Sequence, residues 1–183
     1  ELVENSLDAG SSQIAVEAKG GGVSLIRVTD NGSGVPSAEL ELVFRRHATS
    51  KIASLNDLES ISSLGFRGEA LSSIDAVAQV DIVTCAAGEQ TGSYFSLKDG
   101  TTVERGSRAR SQGTTVTVQN LFRSVPARLK FLKSPITENS HIANVVSQYA
   151  LAFPEVKFTL SLNGRNELGT PGSGQLTDSI VEV

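Results

Sequence analysis

The sequence predicts an α/β (α+β) two-layer sandwich: a mixed, mainly antiparallel sheet with helices on one face. Helical patterns stand on both sides of a central series of strand-like runs, at Glu1 to Ala9 and Ile136 to Phe153. Gly20-Gly21-Gly22, Asp99-Gly100 and Asn163-Gly164 join neighbouring runs as tight hairpins. The order also lacks the regular strand–helix alternation of a doubly wound sheet.

Taken in order, Glu1 to Ala9 is a helix ended by Gly10, the residue type best suited to the position just past a helix. Gln13 to Ala18 alternates and is a strand, returned through the glycine turn by Val23 to Asp30. Pro36 and Ser37 are expected to start a short helix reaching Phe44, with Ser37 as its N-cap and Glu39 and Glu41 near its positive end. Arg45 to Leu64 reads as a long polar loop with a helical patch at Asn56 to Ile61. Gly68 to Ala78 is helical. Strands follow at Val80 to Cys85, Gly92 to Lys98, Thr101 to Glu104 and Thr114 to Gln119. After the long helix, closed by Pro154, Val156 to Leu162 and Arg165 to Leu168 form a last hairpin. The expected division is one folded unit over 1–168, a Gly/Pro/Ser linker over 169–174, and the start of a following domain over 175–183.

Composition narrows the function classes. The chain has 183 residues, 39% of them hydrophobic, enough for one folded core. A net charge of −4 excludes a generally basic nucleic-acid binder, so any DNA contact must use a local patch. The candidates are Arg105, Arg108 and Arg110, and separately Arg123, Arg128, Lys130 and Lys133; each is equally readable as solvated surface. The single cysteine, Cys85, permits no internal disulfide and suits a reducing compartment. One Cys and two His make a structural zinc site a poor reading, and no apolar run approaches membrane-spanning length. The chain begins inside a helical pattern and contains no Met, so it reads as a piece of a longer protein.

The most informative stretch is Leu64-Gly65-Phe66-Arg67-Gly68-Glu69-Ala70-Leu71. Its glycines permit close backbone approach to a ligand, and free N–H groups opening the next helix can hold an anion. With Glu1-Leu2-Val3-Glu4-Asn5-Ser6-Leu7-Asp8-Ala9-Gly10 and Asp30-Asn31-Gly32-Ser33-Gly34, it resembles the three nucleotide-binding motifs shared by gyrase, Hsp90, histidine kinases and MutL. The finer resemblance is to the MutL family of DNA mismatch repair ATPases. It is carried by Arg46-His47-Ala48-Thr49-Ser50-Lys51, by Gly65 to Leu71, and by Pro126-Ala127-Arg128-Leu129-Lys130-Phe131-Leu132. Ser124-Val125 replaces the family's usual Asn-Thr before Pro126. No P-loop sequence is present, so an ATP site must be built another way.

The resemblance implies a Bergerat-type ATP fold, with ATP and Mg²⁺ as cofactors, and it implies roles for particular residues. Asp30 would read the exocyclic amine of adenine, although Asp-Asn-Gly is equally a turn. Gly32 and Gly34 would let the base lie against backbone. Asn5 would give Mg²⁺ a neutral oxygen, and Glu1, one helical turn away, would be the general base for the attacking water; a solvated helical face is the alternative. Thr49, Ser50 and Lys51 would belong to a phosphate lid, or be ordinary loop. Leu64, Gly65, Phe66, Gly68 and Glu69 would line the phosphates, with Arg67 either aimed at phosphate or bracing the loop. Ala9 and Val35 would line the nucleotide, and Thr115 would bond near adenine. Neither His47 nor His141 is given a catalytic role.

The implied protein is a Mg²⁺-dependent ATPase acting as an ATP-gated clamp that dimerises through its N-terminal domains, as homodimer or MutL-family heterodimer. Its implied partners are a mismatch-recognition protein and DNA, with no membrane. It would sit in the bacterial cytoplasm and nucleoid, or in the nucleus of a eukaryote. A type II topoisomerase-like ATPase subunit and a non-hydrolysing ATP-responsive scaffold are the rival readings. The 183 residues alone are expected to bind ATP poorly, lacking an upstream arm and a downstream lysine that the resemblance implies.

Overall fold

The structure is a computed structural model and describes residues 1–44, 70–98 and 100–183. Eight strands form one sheet in the order β5-β4-β3-β6-β2-β1-β7-β8. They are β1 (Gln13–Lys19), β2 (Leu25–Asp30), β3 (Gln79–Cys85), β4 (Gly92–Lys98), β5 (Thr101–Arg108), β6 (Gly113–Gln119), β7 (Lys157–Leu162) and β8 (Arg165–Gly169). Every neighbouring pair is antiparallel except β1 and β7, which run parallel with Gln13 beside Lys157. The helices are α1 (Leu2–Asp8), α2 (Ala70–Asp75), α3 (Pro126–Leu129), α4 (Pro135–Ala152) and α5 (Leu176–Glu182). The mixed sheet with a helical layer is the architecture the sequence predicts.

Strand alternation decides which face is covered. Ile14, Val16 and Ala18 of β1 line up with Phe158, Leu160 and Leu162 of β7, and all six are buried. Val28 of β2 lies opposite Val16 and joins the same cluster, which α4 caps with Val146 and Ala150 and α1 with Val3. The other face carries Glu17, Arg27, Thr29 and Thr117, with Arg27 bonded to Glu17 (2.8 Å) and to Thr117 (3.3 Å). A second, smaller cluster of Leu40, Ile82, Phe95 and Leu97 lies under β3 and β4, covered by Val35 and Phe44.

Local chemistry explains the joints. Helix α1 ends with the Gly10 amide on Leu7 O (2.9 Å) and the Ser11 amide on Ser6 O (3.3 Å), with Gly10 at φ +69°. That paired pattern is a Schellman ending, which satisfies carbonyls the helix leaves open. Ser134 caps α4, its hydroxyl accepting from the Thr137 amide (3.2 Å), and Pro135 follows at the first helical position.

Three local expectations change: the helix over Pro36 to Phe44, the end of β5 and the reach of α2. Pro36 to Phe44 is not a helix: 37–41 are turns and Leu42–Phe44 a single 3-10 turn, with i→i+3 bonds from Glu39 to Pro36 and from Leu42 to Glu39. Ser37 caps nothing there; its amide donates to Glu89 Oε1 (2.9 Å), and Glu41 pairs with Arg105, so the segment is tied to the β3–β4 turn and to β5 instead. Strand β5 runs on to Arg108, paired along β4, and α3 is an extra short helix begun by Pro126. The 169–174 segment is bonded to its surroundings: Thr170 exchanges bonds with Phe158 through its amide (2.9 Å) and its hydroxyl (3.0 Å), and the Gly174 amide reaches Pro154 O (3.0 Å). Helix α2 ends at Asp75, short of Ala78. The loop expected over Arg45 to Leu64, its helical patch, and Gly68 and Glu69 lie outside the described residues.

Candidate functional site

Asp30 ends β2 on the covered face, opposite Ile14. It is only 8% exposed, and its carboxylate is held from three sides. Oδ1 accepts from the amides of Gly32 (2.9 Å) and Thr114 (3.1 Å), and Oδ2 accepts from the Ser6 hydroxyl (3.0 Å). Ser6 has one proton and a second acceptor, Leu2 O at 3.2 Å, so Oδ2 keeps room for another donor. A buried carboxylate fixed in this way, with a lone pair left over, fits a single directed N–H from a ligand.

The wall around it is built from threonines and glycines. Thr84 Oγ1 accepts from the Val35 amide (2.8 Å) and lies 3.0 Å from Thr114 Oγ1. A Cβ on Gly32 would meet Ser11 Oγ at 2.6 Å and the Ala9 Cβ at 2.7 Å; one on Gly34, at φ +71°, would sit 2.1 Å from the Cys85 carbonyl oxygen. These two glycines are therefore required by the protein's own packing, Gly32 against the end of α1 and Gly34 against the end of β3. Asn31 locks the same segment to the α1–β1 link, its Oδ1 accepting from the amides of Ser12 (3.0 Å) and Gln13 (2.9 Å). The Ser33 amide bonds Ala9 O (2.9 Å).

Helix α1 turns Val3 and Ser6 toward the sheet. Glu1, Asn5 and Asp8 follow one another along a different line of the helix. Glu4 faces α4, where its Oε1 accepts from the Tyr149 hydroxyl (2.6 Å). Burial and that bond push the Tyr149 phenol up to about 12. Among the described residues no group of three or more His, Cys, Asp or Glu could hold a metal ion. The side chains present fit a cation held chiefly by its own phosphate ligands, with Asn5 as a neutral oxygen donor.

The structure thus brings Ala9, Asp30, Gly32, Gly34 and Val35 together beside α1, which carries Glu1 and Asn5. It does not bring Thr115 there. Thr115 pairs with Thr29 in the β2–β6 register, and its hydroxyl meets that of Thr29 (3.1 Å) on the opposite face from Asp30. The residue on the Asp30 face is Thr114, one position earlier, because successive strand residues alternate sides. Thr49, Ser50, Lys51, Leu64, Gly65, Phe66, Arg67, Gly68 and Glu69, with His47, lie outside the described residues.

The first basic group is used internally. Arg105 pairs with Glu41, and Arg108 lies 3.5 Å above the Tyr94 ring. Arg110 donates to Asp30 O and Gly113 O, and burial pushes its guanidinium below the ordinary value while Asp30 and Cys85 draw it back up. The second group is at the surface: Arg123, Arg128, Lys130 and Lys133 are exposed, Arg128 lying 5.7 Å above the Phe122 ring, and Phe131 in the same segment is 86% exposed. Cys85 is free and buried, as its strand position implies, and His141 is exposed on α4.

Residues 1–123 match the family of histidine kinase-, DNA gyrase B- and HSP90-like ATPases. The chain belongs to this family. Within this ATPase family, all 183 residues align with DNA mismatch repair protein MutL of Halothermothrix orenii at 49% identity and of Macrococcus caseolyticus at 46%. The chain covers 28% and 29% of those two proteins' lengths. Among solved structures, it is similar to the Aquifex aeolicus MutL ATPase domain complexed with ADP. That match has a TM-score of 0.81 and 32% identity, and covers 98% of this chain and 63% of that one. It is likewise similar to the N-terminal domain of a DNA repair protein, with a TM-score of 0.83, 28% identity, and 100% and 54% coverage. No described helix is long and apolar enough to cross a membrane.

Several residues of the cluster escaped the sequence reading: Ser6, Asn31, Thr84, Thr114, Arg110 and Gln112. For Thr114 the signal was available. Counting alternation back along β6 from the core residues Val118 and Val116 puts Thr114, not Thr115, on their side.

Proposed function

We propose that this chain is the ATP-binding and ATP-hydrolysing domain, over 1–168, of a MutL-like mismatch repair protein. The observation that carries the reading is the Asp30 carboxylate, buried and oriented by Gly32, Thr114 and Ser6 with one acceptor position left. It would accept the exocyclic amine of adenine; guanine, with a carbonyl there, would face oxygen with oxygen. Thr114 and Thr84 supply hydroxyls on the same wall, in the place first expected for Thr115. Ala9, Gly32, Gly34 and Val35 form the floor beside the base.

The phosphates would then extend along α1. Asn5 would give its amide oxygen to Mg²⁺, which supplies counter-charge to the phosphates. Glu1, one turn earlier, would orient and deprotonate the attacking water. Lys51, Thr49, Ser50 and the Leu64 to Glu69 stretch would complete the phosphate contacts. In the full-length protein, nucleotide binding would gate dimerisation through the N-terminal domains and engagement of a mismatch-recognition protein. The exposed cations of the segment that holds Phe131 would touch DNA phosphates, giving weak, salt-dependent contact.

Calorimetry on Asp30→Asn in the full-length protein tests the adenine contact. A buried bond to a charged group is worth roughly 1.5–3 kcal/mol, so ATP should bind about tenfold to a hundredfold more weakly. Unchanged affinity removes Asp30 from the site. Glu1→Ala should keep ATP binding and lose turnover by a factor on the order of 10²–10⁴; normal hydrolysis excludes Glu1 as the base.

A further inference from the structure

The outer face of the sheet behind Asp30 carries a contact with no part in the reading above. Arg110 lies in the short connection between β5 and β6. Its Nη2 donates to the Asp30 carbonyl (2.8 Å), its Nε to the Gly113 carbonyl (3.1 Å), and its Nη1 to Thr115 Oγ1. One planar guanidinium so joins β2 and β6 just past the point where their backbone pairing ends, at Thr29 and Thr115. Gln112 adds a second grip on the same segment, donating to Gly32 O (3.2 Å).

The peptide between Gly113 and Thr114 connects this clamp to the ligand side. Its carbonyl accepts from Arg110, and its N–H is the group that donates to Asp30 Oδ1 (3.1 Å). A trans peptide is planar, with C=O and N–H pointing in opposite directions. The Gly113 carbonyl, held by Arg110 Nε and met also by the Thr84 hydroxyl (3.3 Å), therefore fixes the direction of the opposed N–H, which meets the Asp30 carboxylate. A charged donor on the carbonyl also strengthens the N–H as a donor. Gly113, at φ +123°, makes the approach feasible, since a Cβ there would lie 2.2 Å from Asp30 O. Gly92 leaves space from the other side, where a Cβ would be 3.0 Å from the Arg110 Cβ.

We propose that Arg110 is a positioning residue for adenine recognition, setting the orientation of the Asp30 carboxylate through the Gly113–Thr114 peptide and the Asp30 carbonyl. The inference rests on Asp30 as the adenine reader. Arg110 touches no nucleotide, so its removal should change the response to the base and leave the response to the phosphates alone.

The test compares ATP with inorganic tripolyphosphate as ligands of the full-length protein and its variants. Arg110→Ala should weaken ATP binding about tenfold and tripolyphosphate binding by less than about twofold. Arg110→Lys, a single point donor that cannot span three acceptors, should stay weakened for ATP, and it serves alone if the alanine variant does not fold. In both variants the Thr114 amide should exchange its hydrogen faster while the amides of β1 and β7 keep their protection. ATP affinity equal to the parent in either folded variant overturns the proposal, as does a proportionate loss for both ligands, the mark of general destabilisation. Asp30→Asn measured alongside separates the two ideas. If it leaves ATP affinity intact, the adenine reading fails and takes this inference with it. If it weakens ATP binding while the Arg110 variants do not, only the role of Arg110 is lost.

Discussion

Among the described residues, the two halves of the sheet rest on clusters of different size. Under α1 and α4, strands β1, β2 and β7 share a continuous cluster that includes Ile14, Val16, Val28, Phe158 and Leu160. On the other side of β6, Ile82 of β3 and Phe95 and Leu97 of β4 cluster with Leu40, and β5 is exposed along its whole length. The smaller core also takes its cover from Val35 and Phe44, in the segment that follows Gly32 and Gly34. Asp30, Thr84 and Thr114 sit where the halves meet. One half therefore anchors the site independently of any ligand, while in the other the wall of the site is itself part of the core. Stability and binding should separate on the first side and move together on the second.

The largest effect should come from the first side. Phe158 is fully buried between β1 and α4, so Phe158→Ala should cost about 3–5 kcal/mol by urea unfolding. Phe95→Ala, in the smaller of the two described clusters and beside the exposed strand β5, should cost less, about 3 kcal/mol. Hydrogen exchange should show its effect confined to β3, β4 and β5, and uniform loss across β1 and β7 would mean that the sheet has one core rather than two. Gly34→Ala should come next, at roughly 1–3 kcal/mol, from its positive φ and the backbone oxygen 2.1 Å from the new Cβ. It should weaken ATP binding in parallel; loss of stability with normal ATP affinity would break the link between core and wall on that side.

The smallest effect tests the anchored side by pH. The Tyr149 phenol bonds Glu4 and is raised from 10.0 to about 12. A raised folded-state value means the protonated form is favoured by folding. The contribution is therefore complete below about pH 10 and disappears as pH climbs toward 12. Tyr149→Phe should cost at most about 1 kcal/mol at pH 8, since the pair is partly exposed. The difference between variant and parent should shrink between about pH 10 and pH 12, and a constant gap would assign the effect to packing with Phe153 instead.

The strands were legible because each sits between a strong turn signal and a period-two run: Ile14-Val16-Ala18 and Phe158-Leu160-Leu162 announce their faces directly. Pro36 to Phe44 was not legible, because its conformation is decided by Glu89 and Arg105, which are distant in sequence. The reach of β5 to Arg108 was hidden for a related reason: no residue of it is buried, so it carries no apolar period. In the site, Asp30, Gly32 and Gly34 stood out as types, but the packing of the glycines against Ala9, Ser11 and Cys85 is set by residues distant in sequence. Thr115 was misplaced by one residue, which in a strand means the other side of the sheet. Arg110 looked like one of three surface arginines, because sequence gives its charge and not the two carbonyls it faces.

The single parallel pairing in the sheet bears on how the chain is made. β1 lies between β2, which follows it directly, and β7, with position 13 matched to position 157. A ribosome releases the β1–β2 hairpin before β7, and one edge of β1 then waits for β7 to emerge. Closure of so long a loop is slow compared with hairpin formation, so this step should limit the folding rate. Until it occurs, the bare edge, with Ile14, Val16 and Ala18 on its apolar side, is a template for pairing with another nascent chain.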